Sequence, residues 1–304
     1  MHDLIIIGAG PAGLAAALYA SKKRLDYLVI TRDLGGKSNY SVTVPESESD
    51  QTIRADELVT LYKTRLQYLR HSYRITGAKA LRKVDGGFAV ETEDGSSEEA
   101  RAVIIASGTH LRKLEVPGEL EFLSRALGYS SISYSHLFAG KRVFVAGDTN
   151  RVLHSAVELS IHADAVTLAL LDGGSYDPPL LERVSSLDRV TLLTEAKIKG
   201  FAGDEYARSV TVASREGEQT VEADGFFVEP EPVANTGFID LEVEIDEAGY
   251  VEVDGSNMTS IDGLFAAGDV TGNGFEQILV SLGEGAKAVL SAYRYLLRAG
   301  IGGR

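Results

Sequence analysis

Apolar residues in this chain gather into short unbroken runs set off by glycine turns, the pattern of strands buried on both faces rather than of half-exposed alternating ones. LIIIGAGPAGLAAALYASKKRLDYLVI, near the start, reads as a strand, a glycine turn, an alanine-rich helix and a second strand. KRVFVAGDTNRVLHSAVELSIHADAVTLALLDGG, from Lys141 to Gly174, repeats that order. Two such βαβ passages predict an α/β protein, and the clustering of glycine at strand-to-helix turns predicts that the turns serve nucleotides.

In the first passage Gly8, Gly10 and Gly13 stand as G-x-G-x-x-G directly after a strand, with Pro11 and Ala12 between them. Gly8 allows the tight turn, Gly10 lets the backbone approach a pyrophosphate, and Gly13 lets helix and strand pack closely. The helix N-terminus then receives the phosphates, because its unpaired N–H groups and positive dipole end favour negative charge. At the end of the second strand, where an acidic residue usually grips the ribose, the chain has Thr31, followed by Arg32 and Asp33. The Thr31 hydroxyl is a candidate ribose ligand with Asp33 close by.

A length of 304 residues suits two domains, and 44% hydrophobic with 24% charged residues is the composition of a globular protein. The formal charge of −14 disfavours nucleic acid and anionic membranes as partners. MHDLIIIGAG carries too short an apolar run to span a bilayer and no basic region ahead of it, so neither membrane span nor leader is expected and the protein is expected to be cytoplasmic. There is no cysteine, which removes thiol nucleophiles, thiolate metal sites and disulfide exchange by this chain.

Three separated pieces together carry a recognisable order: GAGPAG at Gly8–Gly13, VIIASGTHLRKLEVPG at Val103–Gly118, and GLFAAGDVTGNGFEQILVSLGEGAKAV at Gly263–Val289. In this the chain resembles the low-molecular-weight thioredoxin reductases and their flavoprotein relatives over essentially its whole length. The resemblance implies two Rossmann-like, three-layer dinucleotide-binding domains: a discontinuous FAD domain over residues 1–110 and 225–304, and an inserted NAD(P)H-like domain over 111–224. It implies that Gly8–Gly13 bind the FAD pyrophosphate, that Ser107 and Gly108 form the turn leaving the FAD domain, and that Gly268 and Asp269 approach the ribityl-phosphate region. Gln277 and Ile278 would begin a helix facing the isoalloxazine; Gly36 of DLGGKSNY would lie along the flavin, with Lys37 or Ser38 offering donors. Lys79 joins the same cofactor set. A homodimer is implied by resemblance alone. The Pro/Gly-bearing stretches LEVPGEL and FVEPEPVANTG suit the joints between domains.

The second fingerprint is broken, with Gly147 in the first position, Thr149 in the second and Val152 in the third. A side chain at the second position obstructs a pyrophosphate, the Asp148 carboxylate opposes one, and Asp148, Thr149 or Asn150 is expected to cap the helix instead. After the following strand comes LLDGGSYDPP, without the arginines that hold a 2′-phosphate in NADP-binding relatives; Asp172 leaves a non-phosphorylated nucleotide open. In GYSSISYSHL, Ser130 and Ser133 reproduce the C-x-x-C spacing of thioredoxin reductases, but an alkoxide is inaccessible near neutral pH and oxygen forms no mixed disulfide. Ser130, Ser133, Tyr134 and His136 read either as a polar wall by the flavin or as an exposed linker. The segment is also similar to that of thioredoxin-reductase-type ferredoxin–NADP reductases. His154, Glu158 and His162 share a helix face, read as solvated, and no metal site is expected.

The expected activity is that of an FAD-dependent oxidoreductase without C-x-x-C chemistry and without NAD(P)H, exchanging electrons with a ferredoxin- or flavodoxin-type carrier or a small molecule. Two alternatives stand: an NADH-dependent flavin reductase or ferredoxin–NADP reductase-like enzyme, and a non-catalytic redox sensor.

Overall fold

The structure is a computed structural model, and it describes residues 1–40, 42–44, 55–69, 72–272 and 274–300. The chain divides into two compact units: Met1–Asn39, Thr52–His110 and Val233–Arg304 form the first, and Tyr40–Gln51 with Leu111–Pro232 the second.

The first unit is built on the strand His2–Ile7, whose last four residues are buried on both faces. It pairs in parallel with Tyr27–Thr31 on one side (Leu4 opposite Tyr27) and with Ser97–Ile105 on the other (Ile5 opposite Val103). Tyr73–Ile75 and Leu264–Ala266 extend the parallel sheet, pairing with Tyr27–Thr31 and with the second half of Ser97–Ile105. The first half of Ser97–Ile105 instead turns antiparallel partners toward Gly87–Thr92, which pairs in turn with Ala78–Val84.

Alternation along the strands sorts side chains into two cores. Leu4, Ile6 and Ile104 face the helices, against Ala16, Ala20, Ala288 and Ala292. Ile5, Ile7, Val103 and Ile105 face the antiparallel meander, against Phe88 and Val90. The result is the expected three-layer α/β arrangement.

Helix Pro11–Lys22 starts with proline in its first turn, where the missing N–H costs no intrahelical bond, and its alanines keep the face against the sheet thin. It ends as Arg24 takes a left-handed φ of 56°. Helix Ile278–Arg298 crosses it closely enough that a Cβ on Gly285 would lie 1.9 Å from the Ala12 carbonyl oxygen.

The second unit repeats the plan. Its parallel strands lie in the order Val190–Gly203, Ala165–Leu171, Arg142–Gly147, Gly225–Glu229, Leu127–Gly128, and Ala207–Ser214 and Gly217–Glu222 add an antiparallel edge. Pairing of Phe226 with Phe144 makes Gly225–Glu229 a central strand here, so this unit continues past residue 224 to Pro232. Helices Asn150–His162 and Pro178–Ser185 pack on Val143, Val145, Val166 and Leu168. Among the described residues no helix is long and apolar enough to cross a membrane.

Candidate functional site

The site of the first unit forms where the strand His2–Ile7 hands over to the helix Pro11–Lys22. Gly8 turns with φ 102°, and a Cβ there would lie 2.3 Å from the Ala106 carbonyl oxygen, so a side chain is excluded by both conformation and space. A Cβ on Gly13 would lie 2.0 Å from the Gly8 carbonyl oxygen, which is the close helix–strand packing expected of the third glycine. Gly10 differs from both. A Cβ there would meet nothing within 4 Å, although its backbone (φ −67°, ψ −175°) is open to any residue. The helix it begins has no side-chain cap and no acidic residue in the first turn, so no capping or first-turn carboxylate side chain competes for its leading N–H groups at the positive end of the dipole. That cradle fits a pyrophosphate, and a single methyl would intrude on it.

Around this cradle stand the other candidates. Ala9 N–H donates to the Thr31 hydroxyl (3.1 Å), which donates to the Asp33 carbonyl (2.6 Å). Thr31 is 6% exposed, and its hydroxyl ties the glycine turn to the second strand. Arg32 pairs with Glu93 at 2.5 Å, and Asp33 accepts from Gly36 N–H at 2.7 Å, holding the Gly35–Gly36 turn. A Cβ on Gly36 would lie 3.2 Å from Gly10 Cα, so that turn passes over the first. Ser38 donates to the Gly35 carbonyl, which turns its hydroxyl into the loop. Lys79 is exposed at the start of Ala78–Val84, two residues beyond Gly77, which crowds the Glu93 that holds Arg32.

Lys37 reaches three elements at once: Thr109 Oγ1 at 2.6 Å, Asp269 Oδ2 at 2.7 Å and Glu276 Oε1 at 2.5 Å. Asp269 also accepts from the Ser281 hydroxyl at 3.0 Å. Gly268, with φ 79°, donates its N–H to Glu284 and packs on Ala12, locking the third segment against the first. Gln277 is the N-cap residue of the helix that Ile278 opens, without a side-chain cap. Ser107 donates to the Asn235 carbonyl while Asn235 Nδ2 donates to the Ser107 carbonyl, a reciprocal latch beside Gly108. Thr109, Glu276, Glu284 and Asn235 went unnoticed in the sequence. The first three lie inside or beside the diagnostic segments, whereas nothing in FVEPEPVANTG distinguishes Asn235.

In the second unit the expected cap is absent. Helix Asn150–His162 has Thr149 as its N-cap residue with no side-chain cap. Asp148 instead pairs with Arg112 at 2.5 Å and accepts from Glu231 N–H at 2.9 Å, while Asn150 accepts from Asp177 N–H at 2.7 Å. A guanidinium outcompetes the helix N–H groups for the carboxylate because the bond is between full charges. Val152, fully buried, packs on Gly147. Tyr176 then leans over the strand end, its hydroxyl donating to the Gly147 carbonyl (2.8 Å). Burial, followed by the nearby Asp148 carboxylate, pushes this phenol up to about 12. Asp172 pairs with Lys197 at 3.0 Å.

Ser130, half-buried, and Ser133, exposed, lie with hydroxyl oxygens 3.2 Å apart. Between them Ser131 donates its N–H to Glu229, a carboxylate 1% exposed that also accepts from Ser155. Tyr134 and His136 flank and enter the short 3-10 turn Ser135–Phe138. Among the described residues no group of acidic or histidine side chains is placed to hold a metal.

A family model described as pyridine nucleotide-disulphide oxidoreductase matches residues 2–285. An NADH dehydrogenase of Bacillus subtilis is 33% identical over 97% of this chain, which spans 59% of that protein's length. A thioredoxin reductase of Streptococcus pyogenes superimposes with a TM-score of 0.86 at 29% identity, covering 98% of this chain and 99% of that one. A ferredoxin-flavin thioredoxin reductase of Clostridium acetobutylicum is 25% identical with a TM-score of 0.50, covering 98% of both chains.

Proposed function

Because the chain belongs to the pyridine nucleotide-disulphide oxidoreductase family, an FAD-binding family of oxidoreductases, we propose that it works as a flavoenzyme of the thioredoxin reductase fold with both usual electron routes altered. The first unit holds FAD, with the pyrophosphate at Gly8–Gly13 and the flavin between the Gly36–Ser38 turn and the helix opened by Gln277 and Ile278. Bound there, the flavin supplies the redox chemistry, and the dipole of that helix favours the negative charge that reduction brings.

Electrons pass between the flavin and a carrier of the ferredoxin or flavodoxin type, or a small molecule, rather than through a dithiol of this chain or NAD(P)H on its second unit. The observation that carries this reading is Asp148: its carboxylate, fixed by Arg112 and Glu231 N–H, stands at the helix entrance where a dinucleotide would set its phosphates. The absence of cysteine supports the other half, and the similarity to the ferredoxin-flavin thioredoxin reductase of Clostridium acetobutylicum supports the carrier. Cytoplasmic location and a homodimer belong to the same proposal.

The test is anaerobic reduction of the FAD-loaded protein by NADH, NADPH and reduced ferredoxin in parallel. Bleaching by ferredoxin and not by either nicotinamide is the expected result. Rapid bleaching by NADH would replace this reading with that of an NADH-dependent flavin reductase, which the name of the Bacillus relative favours. A flavin that no donor reduces would leave the redox sensor.

A further inference from the structure

Lys37, Thr109 and Glu276 form a closed set across the segments from which the flavin site is assembled: the ammonium bonds to Thr109, Glu276 and Asp269, the Thr109 hydroxyl donates to Glu276 at 2.9 Å, and Lys37 is the cation of the set. Its ammonium lies one residue from the Gly36 turn that passes over Gly10, and it holds Thr109 beyond the Ser107–Gly108 turn, Asp269 after Gly268, and Glu276 just ahead of the Gln277 helix start. Asp269 and Glu276 are mostly buried, with 13% and 20% of their side chains exposed. Without the lysine, two carboxylates would lose the ammonium they share, on segments that pack against the glycine turn at Gly10 and Ala12.

We infer that Lys37 is a positioning residue of the flavin site: an ionic clasp that offsets part of the charge of Asp269 and Glu276 and holds the three segments together before the cofactor arrives. This rests on the FAD reading of the first unit. The clasp acts through charge as well as reach. Lys37 is one cation shared by two carboxylates, so removing it makes the cluster more negative by one unit. An ammonium shared by two carboxylates and a hydroxyl is a network of charge-assisted hydrogen bonds, each stronger than its neutral counterpart. Arginine preserves the charge. Methionine keeps much of the side-chain volume and removes it.

The experiment measures FAD affinity by fluorescence quenching, the thermal midpoint of the apoprotein, and the midpoint potential of the bound flavin. It compares wild type with Lys37→Met, Lys37→Arg, Glu276→Gln and the Lys37→Met/Glu276→Gln pair. Lys37→Met should weaken FAD binding about tenfold or more, shift the flavin potential to a more negative value and lower the apoprotein midpoint. Adding Glu276→Gln should recover most of the lost affinity, since it removes a negative charge without rebuilding the bonds. Lys37→Arg should stay within a few-fold of wild type. Lys37→Met binding FAD as wild type does, or losing affinity that Glu276→Gln fails to restore, overturns the clasp. If Lys37→Met does not fold, Glu276→Gln alone decides. Affinity improved about twofold or more supports the inference; unchanged or weaker affinity overturns it. A wild-type protein that takes up no FAD overturns the flavin reading itself, and the inference with it.

Discussion

Replacing Gly10 by alanine separates the needs of folding from those of a ligand. Its φ of −67° and ψ of −175° are ordinary for alanine, and the new Cβ would have no protein atom within 4 Å. Alanine is a poorer N-cap residue than glycine by roughly 0.5 kcal/mol. Against that, it restricts the unfolded chain and stabilises by about 0.4–1 kcal/mol. The two effects nearly cancel, so the apoprotein should melt within about 2 °C of wild type. FAD affinity should behave differently. A methyl standing where the pyrophosphate meets the helix N–H groups would displace two charge-assisted bonds of about 1.5 kcal/mol each. That loss of about 3 kcal/mol corresponds to a Kd raised by about a hundredfold. Differential scanning fluorimetry without cofactor and a fluorescence titration with FAD measure the two quantities on one preparation. A Gly10→Ala protein that binds FAD within threefold of wild type refutes the placement of the pyrophosphate. One that melts many degrees lower refutes the claim that the space at Gly10 is free of protein.

Thr31→Val should leave the Ala9 N–H unpartnered in a buried turn and destabilise the first unit by about 1–3 kcal/mol, visible in urea unfolding; an unchanged midpoint would contradict the strut role. Folding raises Tyr176 from its ordinary 10 to about 12. The neutral phenol's contribution to stability is therefore complete below pH 10 and fades as pH rises through about 12. Tyr176→Phe should remove a late-titrating component from the tyrosinate absorbance curve, and a curve that keeps it would contradict the assignment. In a chain with no cysteine of its own, the Ser130→Cys/Ser133→Cys pair should close a single disulfide on oxidation, since the native oxygens are 3.2 Å apart and an S–S bond needs about 2 Å. Two free thiols after oxidation, counted with Ellman's reagent, would show that the segment holds these positions apart.

How much of this was legible before the chain was folded depends on the sequence distance over which each feature acts. The strand–glycine–helix passages, the proline at the head of the first helix and the close approach of Gly13 to Gly8 arise from residues within a few positions of one another, so local sterics and hydrophobic period suffice to read them. The absence of cysteine and the broken second fingerprint were equally plain, being statements about which atoms are present. The bonds of the Thr31 hydroxyl to the backbone at Ala9 and Asp33 could not be read from the sequence, the first of them spanning 22 positions. The helix cap expected from Asp148, Thr149 or Asn150 is not formed: Arg112, 36 positions earlier, and Glu231 N–H, 83 later, hold the Asp148 carboxylate, and Asn150 accepts from Asp177 N–H. Lys37 meets Thr109 and Glu276 across 72 and 239 positions. A linear pattern carries which groups can bond, but charge and hydrogen bonding act through space over a few ångströms. Only the tertiary structure selects which of the many competent partners stands within reach.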